Sequence, residues 1–171
     1  MTDRARQVRW VAAISISAFI IDQITKTIIR TSVSIDDPVR DDVFFQIVHH
    51  TNKGIVGGMF RDIPLIAYLA PLAAMAVLVY LFRHLDSRSK WQSTAFGLVT
   101  GGAVGNIVDR LFFGGVTDFF QVHFHFVPFD FPWKFFPTFN VADACIDIGV
   151  VLLVITWGRP THKESHAPRP V

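Results

Sequence analysis

Cysteine is nearly absent from this sequence: Cys145 stands alone, so no intrachain disulfide can form and no cysteine cluster is available for zinc. It lies in an apolar run and reads as an inert, buried thiol. Charge is also scarce, at 18% of residues, and the net of +2 arises from separated basic and acidic segments. That pattern argues against a nucleic-acid partner. No internal repeat and no Gly/Ser linker divide the chain, so one domain over residues 1–158 is expected, followed by a polar tail, 159–171, expected to be disordered. A cleavable secretory signal is missing as well. Arg4, Arg6 and Arg9 precede the first apolar stretch, but it continues through Asp22, Gln23 and Lys26 with no small-residue cleavage site. No serine sits in a Gly-X-Ser-X-Gly elbow, which leaves a serine hydrolase with little support.

What the chain has in quantity is apolar surface: 51% hydrophobic residues, 17 Phe and a mean hydropathy of +0.39. A bilayer is the solvent that suits it. A hydrocarbon core about 30 Å thick needs roughly 20 helical residues. Trp10–Ile29, Ile63–Phe82, Trp91–Val108 and Val141–Trp157 approach that length. Pro64 fits a first helical turn, and Pro71 is tolerated within a span when neighbours satisfy the freed carbonyl. Basic residues precede span one, separate spans two and three (Arg83, Arg88, Lys90) and follow span four (Arg159, Lys163, Arg169). By the positive-inside rule these segments and both termini are cytoplasmic. The other two connections, rich in aspartate, then face outward. The first carries Val43–Val48, a β-branched and aromatic run that predicts a short β element. The second, Phe112–Phe139, has the aromatics, Trp133 and Lys134 of a segment lying at the membrane surface.

Ionisable groups in or near spans need partners, because a centrally placed Asp or Lys costs about 2.5 to 3.5 kcal/mol to insert. Asp22 and Lys26 have the i, i+4 spacing of a helical ion pair. Asn106, Asp109 and Arg110, at i, i+3 and i+4, project from one helix face, an arrangement that, taken alone, is more often an interfacial cap or structural salt bridge. Asp118 and Asp143 flank the outer surface. Two carboxyls brought together in a poorly solvated site cannot both ionise easily, so one keeps a proton while the other deprotonates water. That is peptide-hydrolysis chemistry without metal, cofactor or covalent nucleophile. Asp147, one turn past Asp143, has no assigned role. His49-His50 and His123-X-His125 lack the matched ligand spacing of a metal site and read as interfacial histidines.

The order of motifs resembles the lipoprotein signal peptidase (signal peptidase II) family. It runs Asp22-Gln23-X-X-Lys26, Asn52-X-Gly54, Gly101-Gly102-Ala103-Val104-Gly105-Asn106-X-X-Asp109-Arg110, Val116-Thr117-Asp118-Phe119 and Phe139-Asn140-Val141-Ala142-Asp143. The resemblance implies an all-α membrane protein of four transmembrane helices, with a small β-rich periplasmic cradle at Val43–Phe60 and an interfacial amphipathic helix at Phe112–Phe126. It implies a bacterial inner-membrane aspartyl endopeptidase that cuts prolipoproteins before a diacylglyceryl-modified cysteine, with Asp118 and Asp143 catalytic. Asp22, Lys26, Asn52, Asn106, Asp109, Arg110 and Asn140 match the family's other polar site positions. Prolipoproteins and membrane lipids are the expected partners, and a monomer is expected. One segment departs from the family pattern: Asn52-Lys53-Gly54-Ile55-Val56-Gly57-Gly58 stands where Asn-Thr-Gly-Ala-Ala-Phe-Gly is usual, which bears on substrate preference. From the residues alone, a small transport or binding protein and a catalytically silent relative remain alternatives.

Overall fold

The computed structural model of the chain describes residues 2–35, 40, 42–54, 62–131 and 134–156. Trp133, the tail at 159–171 and the divergent positions 55–58 lie outside the described residues. Four helices carry the four apolar runs: α1 (Asp3–Ser32), α2 (Pro64–Phe82), α3 (Lys90–Phe113) and α4 (Val141–Thr156). At 1.5 Å per residue they extend for about 45, 28, 36 and 24 Å. Between them run three strands, β1 (Phe45–Asn52), β2 (Val116–His123) and β3 (Phe135–Phe139).

Local sequence sets the helix ends. Thr2 caps α1, its hydroxyl accepting from the Ala5 N–H, and Ser89 caps α3 through the Gln92 N–H. Pro64 opens α2, where its missing N–H costs nothing. Helix α3 stops at Gly114, whose φ of 72° is the left-handed conformation that lets its N–H return to the Arg110 carbonyl.

Helix α3 is the centre of the bundle, packed on α1 along one side and α4 along the other. Its glycines make this possible. A Cβ on Gly101 would stand 2.5 Å from the Ser15 carbonyl of α1, and one on Gly102 would collide with the Ala142 carbonyl of α4. Gly149 does the same for α4 against Ala95 and Val99. Such close backbone approach is how helices associate when lipid supplies no hydrophobic drive between them. The outer faces are correspondingly aliphatic: Ile16, Ile20, Ile24 and Ile28 of α1, Leu65, Leu69 and Leu72 of α2, and Val151, Val154 and Ile155 of α4 are all exposed.

The basic segments before α1 and between α2 and α3 meet at one end. Arg4 donates to the Phe82 carbonyl, Arg88 pairs with Asp3, and Gln92 donates to the Thr156 carbonyl, joining the starts of α1 and α3 to the ends of α2 and α4. The sheet caps the other end, in order β1-β2-β3 with both pairings antiparallel. Strand β1 lies within the expected cradle segment. The amphipathic helix expected over Phe112–Phe126 is not there: α3 ends at Phe113 and β2 follows. Gly114-Gly115 breaks the helix, and Val116, Thr117, Phe119, Phe120 and Val122 are β-branched or aromatic residues that suit a central, largely buried strand.

Candidate active site

Strand β2 enters beside the ends of α1 and α3 and the start of α4, and the sequence-predicted polar residues converge there. Asp22, Lys26, Asp109 and Asn140 are fully inaccessible, Asp118 is 1% exposed, and Asn52, Asn106 and Arg110 are buried. They form two connected layers.

The lower layer is a charge cluster between α1 and α3. Lys26 Nζ lies 2.9 Å from Asp22 Oδ2 and 3.4 Å from Asp109 Oδ2, and it donates to Asn106 Oδ1 at 2.9 Å. Arg30 Nη1 reaches Asp109 Oδ1 at 3.4 Å and Thr117 Oγ1 at 3.1 Å. Two carboxylates thus meet two cations, which removes the net charge that would make burial prohibitive. The remaining acceptor sites are filled from the backbone. Asp22 Oδ1 accepts the Ala142 N–H at 3.0 Å and Asp109 Oδ2 accepts the Thr117 N–H at 2.9 Å, so the cluster pins α4 and β2 in place.

The upper layer holds Asp118 and Asp143. Register places Thr117 opposite Thr51 and Asp118 opposite His50, so Asn52, two residues along β1, meets Asp118 diagonally on the same face. Asn52 Nδ2 donates to Asp118 Oδ2 at 3.1 Å and Asn140 Nδ2 to Asp118 Oδ1 at 2.7 Å. Asn140 and Asp143 form a reciprocal cap at the start of α4: the Asp143 N–H donates to Asn140 Oδ1 at 3.0 Å, and the Asn140 N–H to Asp143 Oδ2 at 3.1 Å. Asn106 completes the set, donating to Asp143 Oδ1 at 2.8 Å and accepting from Asn140 and Lys26 through its own Oδ1. Asn140 therefore binds both carboxyls at once. Burial pushes the Asp118 carboxyl up to about 7, with the Asp143 charge adding to it and the Asn52 and Asn140 bonds opposing it.

Arg110 turns to the other side of the site, donating to the carbonyls of Gly54 (3.1 Å) and Asn106 (3.2 Å). Its buried Nε–H has no acceptor among the described residues. All nine sequence-predicted residues are thus brought together. Asp147 is exposed a turn further along α4 and does not hold the pair. His49 bonds the Val33 carbonyl and His123 stacks on Phe135 at 3.8 Å, both apart from the dyad. Cys145 is only partly buried.

Three further participants are not among the expected site residues, although Gln23 and Thr117 stand within the motifs. Gln23 donates to Asp22, to Asp109 and to the Gly105 carbonyl; Arg30 neutralises Asp109; Thr117 supplies an N–H and a hydroxyl. Arg30 has a signal, since it continues the Asp22–Lys26 face by one more turn.

The sequence profile of signal peptidase (SPase) II matches residues 14–158. The lipoprotein signal peptidase of Solibacter usitatus is 34% identical, covering 92% of this chain and 96% of that protein. That of Actinobacillus succinogenes is 34% identical over 92% and 93%. A solved bacterial membrane enzyme, described at 2.3 Å resolution, superposes with a TM-score of 0.70 at 29% identity, covering 90% of this chain and 93% of its own. A second such structure, at 1.9 Å resolution, gives 0.69 at 30% identity. With its profile matched across most of its length and relatives of this kind aligned nearly end to end, the chain belongs to the signal peptidase II family of aspartic peptidases.

Proposed function

We infer that the chain removes signal peptides from prolipoproteins, with Asp118 and Asp143 as its catalytic acid and base and a diacylglyceryl-modified cysteine as its recognition element. One observation carries this reading: a buried and a half-buried carboxyl are bridged by one asparagine, and the Asp118 carboxyl is pushed up to about 7, so that it is mostly protonated below that pH. In the starting state the pair carries one proton. Asp143 takes a proton from water, the resulting hydroxide attacks the scissile carbonyl carbon, and Asp118 gives its proton to the carbonyl oxygen. Collapse of the tetrahedral intermediate breaks the C–N bond: the proton held on Asp143 passes to the leaving amine, and a hydroxyl proton of the intermediate returns to Asp118, which restores the starting state. The Arg110 Nε–H, without an acceptor among the described residues, is the donor assigned to a substrate carbonyl. Leu111, Phe112 and Phe113, exposed at the end of α3 beside β2, offer an apolar band for the lipid chains.

Four membrane spans, a monomer, and a site at the periplasmic face of the inner membrane complete the reading. Both cytoplasmic termini follow from the basic end of the bundle. Reporters fused after Arg88 or after Lys163 are expected to be cytoplasmic, and one inserted near Asp41 external. A cytoplasmic reporter at Asp41 overturns the topology.

Cleavage of a purified diacylglyceryl-modified prolipoprotein by the purified chain tests the activity, and its pH profile tests the assignment. A carboxyl raised to about 7 is neutral below that pH and ionised above it. The one-proton dyad is therefore lost as pH rises through about 7, and kcat/KM should fall there, a limb belonging to the pair. Asn52→Ala removes a bond that favours ionised Asp118, so this limb should move to higher pH. A limb that stays put or moves down rejects the proposed coupling.

A further inference from the structure

At the end of the bundle opposite the dyad lies a cavity of about 730 Å³ whose lining includes Asp3, Arg6, Arg9, Trp10, Arg88 and Lys90. Four cationic side chains face a single carboxylate. Asp3 is already shared, accepting from Arg6 at 2.8 Å through one oxygen and from Arg88 at 2.9 Å through the other. The Asp86 carboxylate is turned to the Arg88 N–H. The first turns of α1 and α3 both border the cavity, and their N-termini add partial positive charge. Trp10 contributes an apolar wall held in place by its N–H bond to Thr94 at 2.9 Å. Val8 and Trp91, both exposed, supply adjacent apolar surface.

We propose that this cavity binds the phosphate headgroup of an anionic phospholipid, at a site separate from the catalytic one. The chemistry fits on three counts. A phosphate diester accepts from several guanidinium and ammonium donors at once. A cavity of this size holds a headgroup rather than a bare ion. Cations on the cytoplasmic side of a bundle meet the leaflet surface that carries anionic lipid. A soluble phosphate shares the first property but lacks the acyl chains that the neighbouring apolar surface would take.

The test is lipid retention by the full-length chain in mild detergent, counted by native mass spectrometry with phosphatidylglycerol and phosphatidylcholine supplied in turn. No cleavage is needed, so the result is independent of the catalytic assignment. Wild type should retain phosphatidylglycerol in preference. Each cation near an anionic lipid surface contributes about a fivefold effect, so Arg9→Gln with Lys90→Gln should weaken retention by roughly 25-fold. Lys90→Gln alone, an exposed change in the first turn of α3, should cost about fivefold and keeps the test readable if the double variant folds poorly. Arg83→Gln, at the same end but outside the cavity, should change retention less than twofold. Equal retention of the two lipids, an equal loss in Arg83→Gln, or displacement of phosphatidylglycerol by millimolar inorganic phosphate would overturn the proposal.

Discussion

Asp118→Asn and Asp143→Asn are each expected to lower the rate of prolipoprotein cleavage by about 10² to 10⁴-fold while the protein still inserts and folds. The amide keeps the size of the carboxyl but cannot exchange a proton. Loss of the general acid or base corresponds to roughly 3 to 5 kcal/mol of barrier. Folding should not suffer at Asp118. A carboxyl held at about 7 by burial and a neighbouring charge destabilises the folded state when it ionises, and a neutral amide relieves that. The sign follows from proton counts: between the ordinary carboxylate range and pH 7 the folded chain binds more protons at this position than the unfolded one, so its contribution to stability falls as pH rises. Asp118→Asn should therefore melt no lower than wild type at pH 8. Because the two residues act as a unit, the double variant should be scarcely slower than either single one. Cleavage above about a tenth of wild type in either variant is a barrier change below roughly 1.4 kcal/mol, too small for loss of an acid or base. With host peptidase excluded, that result removes the dyad assignment.

Much of this site was readable along the chain because its residues sit on helices with fixed spacing. Asp22 and Lys26 are one turn apart and do pair. Asn106, Asp109 and Arg110 do share an end of α3, but the three side chains divide their work. Asn106 holds the dyad, Asp109 joins the charge cluster, and Arg110 reaches Gly54. That division depends on what packs against each side of the helix, which spacing alone does not contain. The same limit explains the misjudged segment after α3. Aromatic residues of Phe112–Phe126 suit either an interfacial helix or a strand, and the choice falls to β1 and β3, whose partners in the sheet lie far along the chain, Asn52 opposite Val116 and Phe139 opposite Phe120. Pairing partners so distant in sequence leave no local periodic signal. The meeting of Asp118 with Asp143 likewise depends on Asn140, whose side chain reaches one carboxyl while its N–H reaches the other.

The charge cluster beneath the dyad makes Lys26 the residue whose loss should be felt most in the fold. Lys26 and both its carboxylate partners have no accessible side-chain surface. Removing the ammonium leaves Asp22 and Asp109 facing only Arg30, at 3.4 Å from Asp109, so one buried negative charge is uncompensated. Breaking a buried pair in this way costs about 3 to 5 kcal/mol. For a chain of this size that is a fall in melting temperature on the order of 10 °C. Lys26→Met should show it, since methionine nearly preserves volume and isolates the charge effect. Cleavage should fall as well, because Asn106 loses the Lys26 donor while it still has to hold Asp143. Lys53→Ala, at an exposed position, is the control and should melt within about 1 °C of wild type. Neutralising a partner should restore the balance: Lys26→Met with Asp22→Asn leaves Asp109 and Arg30 as a matched pair, so the double variant should melt above Lys26→Met alone. That recovery separates electrostatics from packing, because a second substitution in a merely disrupted core would add to the damage. A double variant that melts lower than Lys26→Met would show that the ammonium acts through its shape, and the charge-balance account of the cluster would have to be abandoned.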